Sequence, residues 1–212
     1  MESVGASVKI YITNSFEYID AIVEIHLNTF KGFFLTFLGK GFLKQLYKGF
    51  IEYEKSNLII AIEHDKIVGF LAYSEDISLF YKYLIKHRLF SFAWYAFIAF
   101  LRKPKVLFRL LSALGKSEEV KREEKYVELA SIGVDPNYKA KGVGSQMMSY
   151  LKDKIDFNKF AYISLETDAD NNDYANRFYQ KNKFILARTY STKYGRKMNE
   201  YRFFQKKENE YE

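Results

Sequence analysis

The chain has 212 residues, 48% of them hydrophobic and 28% charged, which fits one or two globular domains and excludes disordered, collagenous and low-complexity classes. It contains no cysteine, so disulfides, cysteine zinc sites, iron–sulfur clusters and thiol nucleophiles are excluded. The net charge of +7 is concentrated in Leu79 to Lys116, where Lys82, Lys86, Arg88, Arg102, Lys103, Lys105, Arg109 and Lys116 stand with no Asp or Glu, which argues for a local anionic partner and against a diffuse nucleic-acid surface.

The opening Met1-Glu2-Ser3-Val4-Gly5 has no basic region followed by an apolar run, so no secretory signal is visible and a cytoplasmic protein is expected. Val8 to Ile12 alternates and is β-branched, the pattern of a short strand. Asn14-Ser15 offers a helix cap, and Phe16, Ile19, Ile22, Val23, Leu27 and Phe30 follow at helical spacing. Phe33 to Tyr53 predicts one further helical stretch with Leu38, Phe42, Leu46 and Phe50 on one side. Leu58 to Glu63, the turn His64-Asp65 and Lys66 to Ser74 read as a β-hairpin.

The basic segment comes next. Its run Leu89 to Leu101 holds no charge, and those residues alone are too few to span a bilayer as a helix. A helix there is apolar almost all round, so its burial is expected. Packing on the domain is favoured, a dimer interface comes next, and a membrane surface last. Tyr126 to Val134 then predicts a strand ended by the turn Asp135-Pro136-Asn137-Tyr138. Gly142 to Ile155 is helical, Phe160 to Thr167 a strand, Asn172 to Asn182 a helix, and Phe184 to Tyr190 and Met198 to Phe204 a closing pair of strands. This order describes an α/β protein: a mixed sheet with helices on its faces. His26, His64 and His87 lie in unrelated segments, and no metal is expected.

Two stretches carry chemistry. In Ser131-Ile132-Gly133-Val134-Asp135-Pro136-Asn137-Tyr138-Lys139-Ala140-Lys141-Gly142-Val143-Gly144-Ser145, a strand ends in a turn and a Gly- and Lys-rich loop opens a helix. Glycines let successive backbone N–H groups converge, and the helix start adds partial positive charge, so the stretch suits a pyrophosphate. By themselves Gly142 and Gly144 fit an ordinary turn equally well. Gly115-Lys116-Ser117 ends like a P-loop, but Leu110 stands where its first glycine belongs. The second stretch, Glu166 to Phe184, lies one strand later and contains Asn172, Ala175, Phe178, Tyr179 and Phe184.

With both stretches in this order and spacing, the chain resembles the GNAT superfamily of acetyl-CoA-dependent N-acetyltransferases. Lys139-Ala140-Lys141-Gly142-Val143-Gly144 is similar to the family's Gln/Arg-x-x-Gly-x-Gly/Ala loop, with Lys first. Asn172 to Phe184 is similar to Asn-x-x-Ala-x-x-x-Tyr-x-x-x-Gly-Phe, with Lys183 where the glycine usually stands. The resemblance implies one domain over residues 1–212 with a mixed, mostly antiparallel sheet, splayed central strands and helices on both faces; it covers the whole chain except the basic and aromatic stretch 79–116, which reads as a helical insertion. It implies acetyl-CoA between the strands Tyr126 to Val134 and Phe160 to Thr167. Backbone groups of Ile132, Gly133 and Val134 would hold the pantetheine arm, and the N–H groups of Lys139, Ala140, Lys141, Gly142, Val143, Gly144 and Ser145 the pyrophosphate. Asn172 would contact the cofactor, and Tyr179 would be the acid.

Transfer needs a neutral amine, a polarised thioester carbonyl and a proton for a thiolate whose thiol pKa is about 8.5. A tyrosine packed for its ring is the competing reading of Tyr179 in a chain with 18 of them. Glu166 is the first candidate base; Glu128 on the neighbouring strand and Asp168 are alternatives, and each fits equally a structural ion pair with Arg177 or Arg196. Without cysteine, direct transfer in a ternary complex is expected. Phe30 to Gly39 and Gly195 to Tyr201 resemble a GNAT branch associated with bacterial surface-polysaccharide gene clusters, which implies an amino-sugar acceptor. A peptide or protein N-terminus and a small amine stay open, as does a non-catalytic module that binds CoA, nucleic acid or a membrane surface. A monomer or homodimer without nucleic acid is expected.

Overall fold

The computed structural model describes residues 8–105, 124–139, 141–192 and 195–205. Along the chain run β1 (Lys9–Thr13), α1 (Ile19–Thr29), α2 (Phe34–Leu38), α3 (Lys40–Glu52), β2 (Ser56–Glu63), β3 (Lys66–Ser74) and α4 (Ile77–Arg102). Then follow β4 (Tyr126–Val134), α5 (Val143–Lys154), β5 (Tyr162–Asp168), α6 (Asp173–Lys181), β6 (Ile185–Ser191) and β7 (Lys197–Phe203). The strands form one sheet in the order β1-β2-β3-β4-β5-β7-β6. Neighbours are antiparallel except β4 and β5, which are parallel.

Period-two alternation divides the side chains of the central strands between two cores. Ile59, Leu71, Val127, Leu129, Ile163 and Leu165 face α5 and α6. Leu58, Ile60, Phe70 and Ala72 face α1, α3 and the start of α4. The β2–β3 turn is tight because His64 and Asp65 both take positive φ, 48° and 59°.

The helical stretch expected over Phe33 to Tyr53 is two helices. Gly39, at φ 88°, breaks it into α2 and α3, although apolar spacing continues across the break from Leu38 to Phe42. A larger correction concerns the insertion. Its helix covers 26 residues, starting at an Asp76 cap whose carboxylate accepts from the Leu79 N–H at 2.9 Å. By length and composition it can cross a bilayer, which the uncharged run alone cannot. One face packs tightly on α3: a Cβ at Gly41 would fall 2.1 Å from the Tyr95 ring, and one at Gly49 2.3 Å from Leu84 Cδ2. Packing on the domain covers one face only, and Phe90, Trp94, Phe97 and Leu101 on the other face are exposed. Residues 106–116 of that expectation lie outside the described residues.

Candidate active site

The centre of the sheet holds an opening. β4 and β5 pair only through Tyr126–Tyr162, Val127–Ile163 and Glu128–Ser164. Beyond those pairs β4 runs on to Val134 and β5 to Asp168, each still held on its far side by β3 or β7. A β-bulge lies at the fork: Ala72 pairs Ser131 and Tyr73 pairs Leu129, which leaves Ala130 as the extra residue, two positions after Glu128. Ile132, Gly133 and Val134 therefore present one backbone edge to the opening. Thr29 Oγ1 donates to the Val134 carbonyl at 3.2 Å, and a Cβ at Gly133 would come 2.7 Å from the Phe70 ring.

The Gly-rich loop closes one end of this opening. After β4, the Asp135 carboxylate accepts from the Asn137 N–H at 2.9 Å, and Pro136–Tyr138 forms a 3-10 turn. Gly142 takes φ 81°, a Cβ there would meet Gln146 Nε2 at 3.9 Å, and α5 begins at Val143. The left-handed residue swings the first N–H groups of α5 to one side, an arrangement suited to phosphate oxygens. Gly144 serves a different purpose: a Cβ there would lie 3.1 Å from the Phe178 ring, so this glycine lets α5 and α6 approach. Lys139 and Lys141 are exposed, with Lys141 Nζ 4.5 Å from the Tyr138 ring centre. Ala140 lies outside the described residues.

Asn172 caps α6. Its Nδ2 donates to Thr167 Oγ1 at 2.7 Å and to the Asp168 carbonyl at 3.3 Å, so its amide ties the helix to the end of β5. Asn176, one turn on, has no mark in the sequence, yet it knits the region together. It donates to the Asp168 and Asn172 carbonyls and accepts from Asn199 Nδ2 at 2.9 Å and the Tyr201 hydroxyl at 3.0 Å. At the far end Asn182 donates to Ser145 Oγ at 3.2 Å and fastens α6 to α5.

Tyr179 is buried, its ring between Phe178, Phe184 and Tyr201. Burial raises its pKa to about 12, so the hydroxyl stays protonated at neutral pH. The turn after α6 fixes the ring. Phe184 N–H donates to the Tyr179 carbonyl, Lys183 N–H to that of Gln180, and the Phe184 ring packs on Tyr179, which together make a Schellman closure. Lys183 adopts φ 65°, so it keeps the left-handed conformation a glycine would take at no cost.

The carboxylates lie across the sheet. Because Val127, Leu129 and Leu165 share a core with Tyr179, Glu128 and Glu166 project from the opposite face. Glu166 accepts from the Tyr190 hydroxyl at 2.7 Å. Asp168 is bound to Arg196 through both oxygens, at 2.5 and 2.8 Å, which commits it to a structural pair. Tyr81, on the first turns of α4, joins the same face: burial raises its pKa to about 12, and the negative charges of Glu128 and Glu166 add to the rise. Half of the Tyr81 surface is nonetheless exposed. Nothing in the sequence marks Tyr81, since only the fold brings α4 to β4 and β5. On the same side the Tyr47 hydroxyl lies 2.7 Å from His26 Nδ1 and 3.5 Å from Ser131 Oγ.

The profile of the Acetyltransferase (GNAT) family matches residues 20–184. The chain belongs to this GNAT family. No curated protein matches its sequence. Among solved structures, the ribosomal-protein-S18-alanine N-acetyltransferase of Escherichia coli superposes with TM-score 0.57 at 16% identity, covering 97% of this chain and 99% of that one. The Drosophila melanogaster polyamine N-acetyltransferase, which forms N-acetylagmatine, gives 0.58 at 10% identity over 94% and 100%. Arabidopsis thaliana NAA60 in complex with acetyl-CoA gives 0.56 at 13% over 93% and 98%. These likenesses show the fold. As a GNAT acetyltransferase the chain acts with acetyl-CoA, while the acceptors of those two neighbours, an alanine of ribosomal protein S18 and a polyamine, differ on one fold.

Proposed function

We propose that this GNAT enzyme moves an acetyl group from acetyl-CoA directly to a primary amine in the opening between β4 and β5. The observation that carries this reading is the β4–β5 ladder, which stops at Glu128 with Tyr179 on one side of the sheet and two carboxylates on the other. The residues present fit the cofactor. A free strand edge at Ile132–Val134 suits an amide-bearing arm, and the loop around Gly142 suits a pyrophosphate, with Lys139, Lys141, Val143 and Ser145 around it. Asn172 positions the start of α6.

When bound, acetyl-CoA supplies an activated carbonyl and a thiol leaving group. Glu166 takes a proton from the incoming ammonium and leaves its nitrogen lone pair free to attack; Glu128 stands close enough in the fold to share that role. Tyr179, still protonated, donates a hydrogen bond where negative charge develops on the departing sulfur. Against a thiol near pKa 8.5, complete transfer from a tyrosine held near 12 runs uphill, so stabilisation by that hydrogen bond is the larger part of its contribution.

For the acceptor we put an amino sugar first. Glu128, Glu166 and the Tyr81 and Tyr190 hydroxyls offer carboxylates and hydroxyls together, which suits a polyhydroxylated amine. The basic α4 beside them disfavours a polycation. The test is a mass-spectrometric screen of amino sugars, nucleotide-linked amino sugars, peptides with free N-termini and polyamines, each with acetyl-CoA. Acetylated amino sugar as the fastest product is expected; turnover confined to peptides or polyamines overturns the acceptor, and CoA release without any acetylated amine overturns the transfer.

A further inference from the structure

We propose that the outer face of α4 docks on the surface of an anionic phospholipid bilayer, with the helix lying along the interface. On that face Lys82, Lys86, Phe90, Trp94, Phe97 and Leu101 follow one another at steps of four, four, four, three and four residues, so they form a single line. The line begins with two exposed cations, continues through four exposed apolar side chains, and ends beside Arg102, Lys103 and Lys105. Exposure of Phe90 is 90%, of Trp94 60%, of Phe97 51% and of Leu101 64%. Large side chains this open, in a row, make a contact surface rather than scattered exceptions.

The helix is about 39 Å long at 1.5 Å per residue, enough to cross the hydrocarbon core. Its inner face rules that out. Phe80 and Leu84 are buried against Phe50 and Gly49, Ala99 packs with Leu38, and Arg88 is bonded to Gln45 and Glu52. A helix sewn to α2 and α3 along its length can give lipid only its other side, which is the geometry of an interfacial helix. Charge selects the occupant. Cations at both ends with an uncharged aromatic centre match anionic headgroups above acyl chains. A symmetric contact with a second copy would set those cations against their own equivalents, on a segment without a single acid.

The chain's one tryptophan is Trp94, so its fluorescence reports this face alone. The full chain is mixed with vesicles of phosphatidylglycerol and phosphatidylcholine, or of phosphatidylcholine alone, at low and high salt, and followed by flotation and emission wavelength. Co-flotation with the anionic vesicles at low salt is expected, with a blue shift, and weaker binding at high salt. Phe90→Ser combined with Phe97→Ser is expected to weaken partitioning by at least about tenfold. Lys82→Glu with Lys86→Glu, which touches no packed residue, should weaken it as well. Absence of flotation and shift overturns the proposal, as does flotation that survives both variants. A blue shift that appears without lipid and grows with protein concentration, alongside a doubled mass by light scattering, assigns the face to a second copy and overturns it too.

Discussion

Glu166 and Glu128 are two carboxylates on one face of the opening, and their environments separate them. Glu166 accepts from Tyr190 beyond the end of the β4–β5 ladder, whereas Glu128 sits in the last paired rung. The residue past the rung has more room for an approaching amine. Glu166→Gln should therefore lower kcat/KM by about 10²-fold, the ordinary scale of general base catalysis. Glu128→Gln should cost about tenfold or less. The reverse ranking assigns the base to Glu128. Asp168 drops out of this comparison, since its ion pair with Arg196 occupies both oxygens.

At the scale of elements, the turn after α6 carries a measurable strain. Lys183 holds φ 65° to complete the Schellman closure that seats Phe184 on Tyr179. A left-handed non-glycine residue costs roughly 1–2 kcal/mol, part of which glycine returns as unfolded-chain entropy. Lys183→Gly should stabilise the protein by about 1 kcal/mol, read as a rise of roughly 2–4 °C in Tm. An unchanged or lower Tm would mean that Lys183 makes compensating contacts. Much at this scale was legible in the sequence. The Asn172 to Phe184 spacing marks the helix, its cap and its closure because each position answers to local geometry. The Gly39 break was hidden, because apolar spacing runs on through Phe42 and only the backbone turns. The role of Gly144 was hidden too: in sequence it belongs to the loop, and only the packing of α6 shows Phe178 facing it. Tyr81 and Asn176 had no local signature, as their partners come from strands elsewhere in the chain.

At the scale of the whole molecule, the two cores are joined through the sheet and differ in their response to acid. His26 is buried in the α1–α3 core beside Phe30, Phe70 and Tyr47, and burial lowers its pKa from 6.5 to about 4. The unfolded chain takes up this proton near pH 6.5 and the folded chain only near 4. Folding stability is therefore intact above pH 6.5 and falls as the pH drops through that interval, by about 3 kcal/mol for this group. His26→Gln, which keeps a polar partner for Tyr47, should flatten the acid-unfolding profile between those values. A profile of unchanged slope would place the acid sensitivity elsewhere.

The other core holds Tyr179, and the proposed transfer depends on that hydroxyl acting across the opening toward an amine that arrives from the carboxylate face. The decisive measurement is a single-turnover comparison of Tyr179→Phe with the parent protein, alongside acetyl-CoA affinity by calorimetry. Removing one oxygen from a ring held by Phe178, Phe184 and Tyr201 leaves the packing in place. Affinity should stay within about threefold while the chemical step slows by about 10²-fold. A chemical step of undiminished rate, with affinity intact, would contradict the account and reduce Tyr179 to a packed ring.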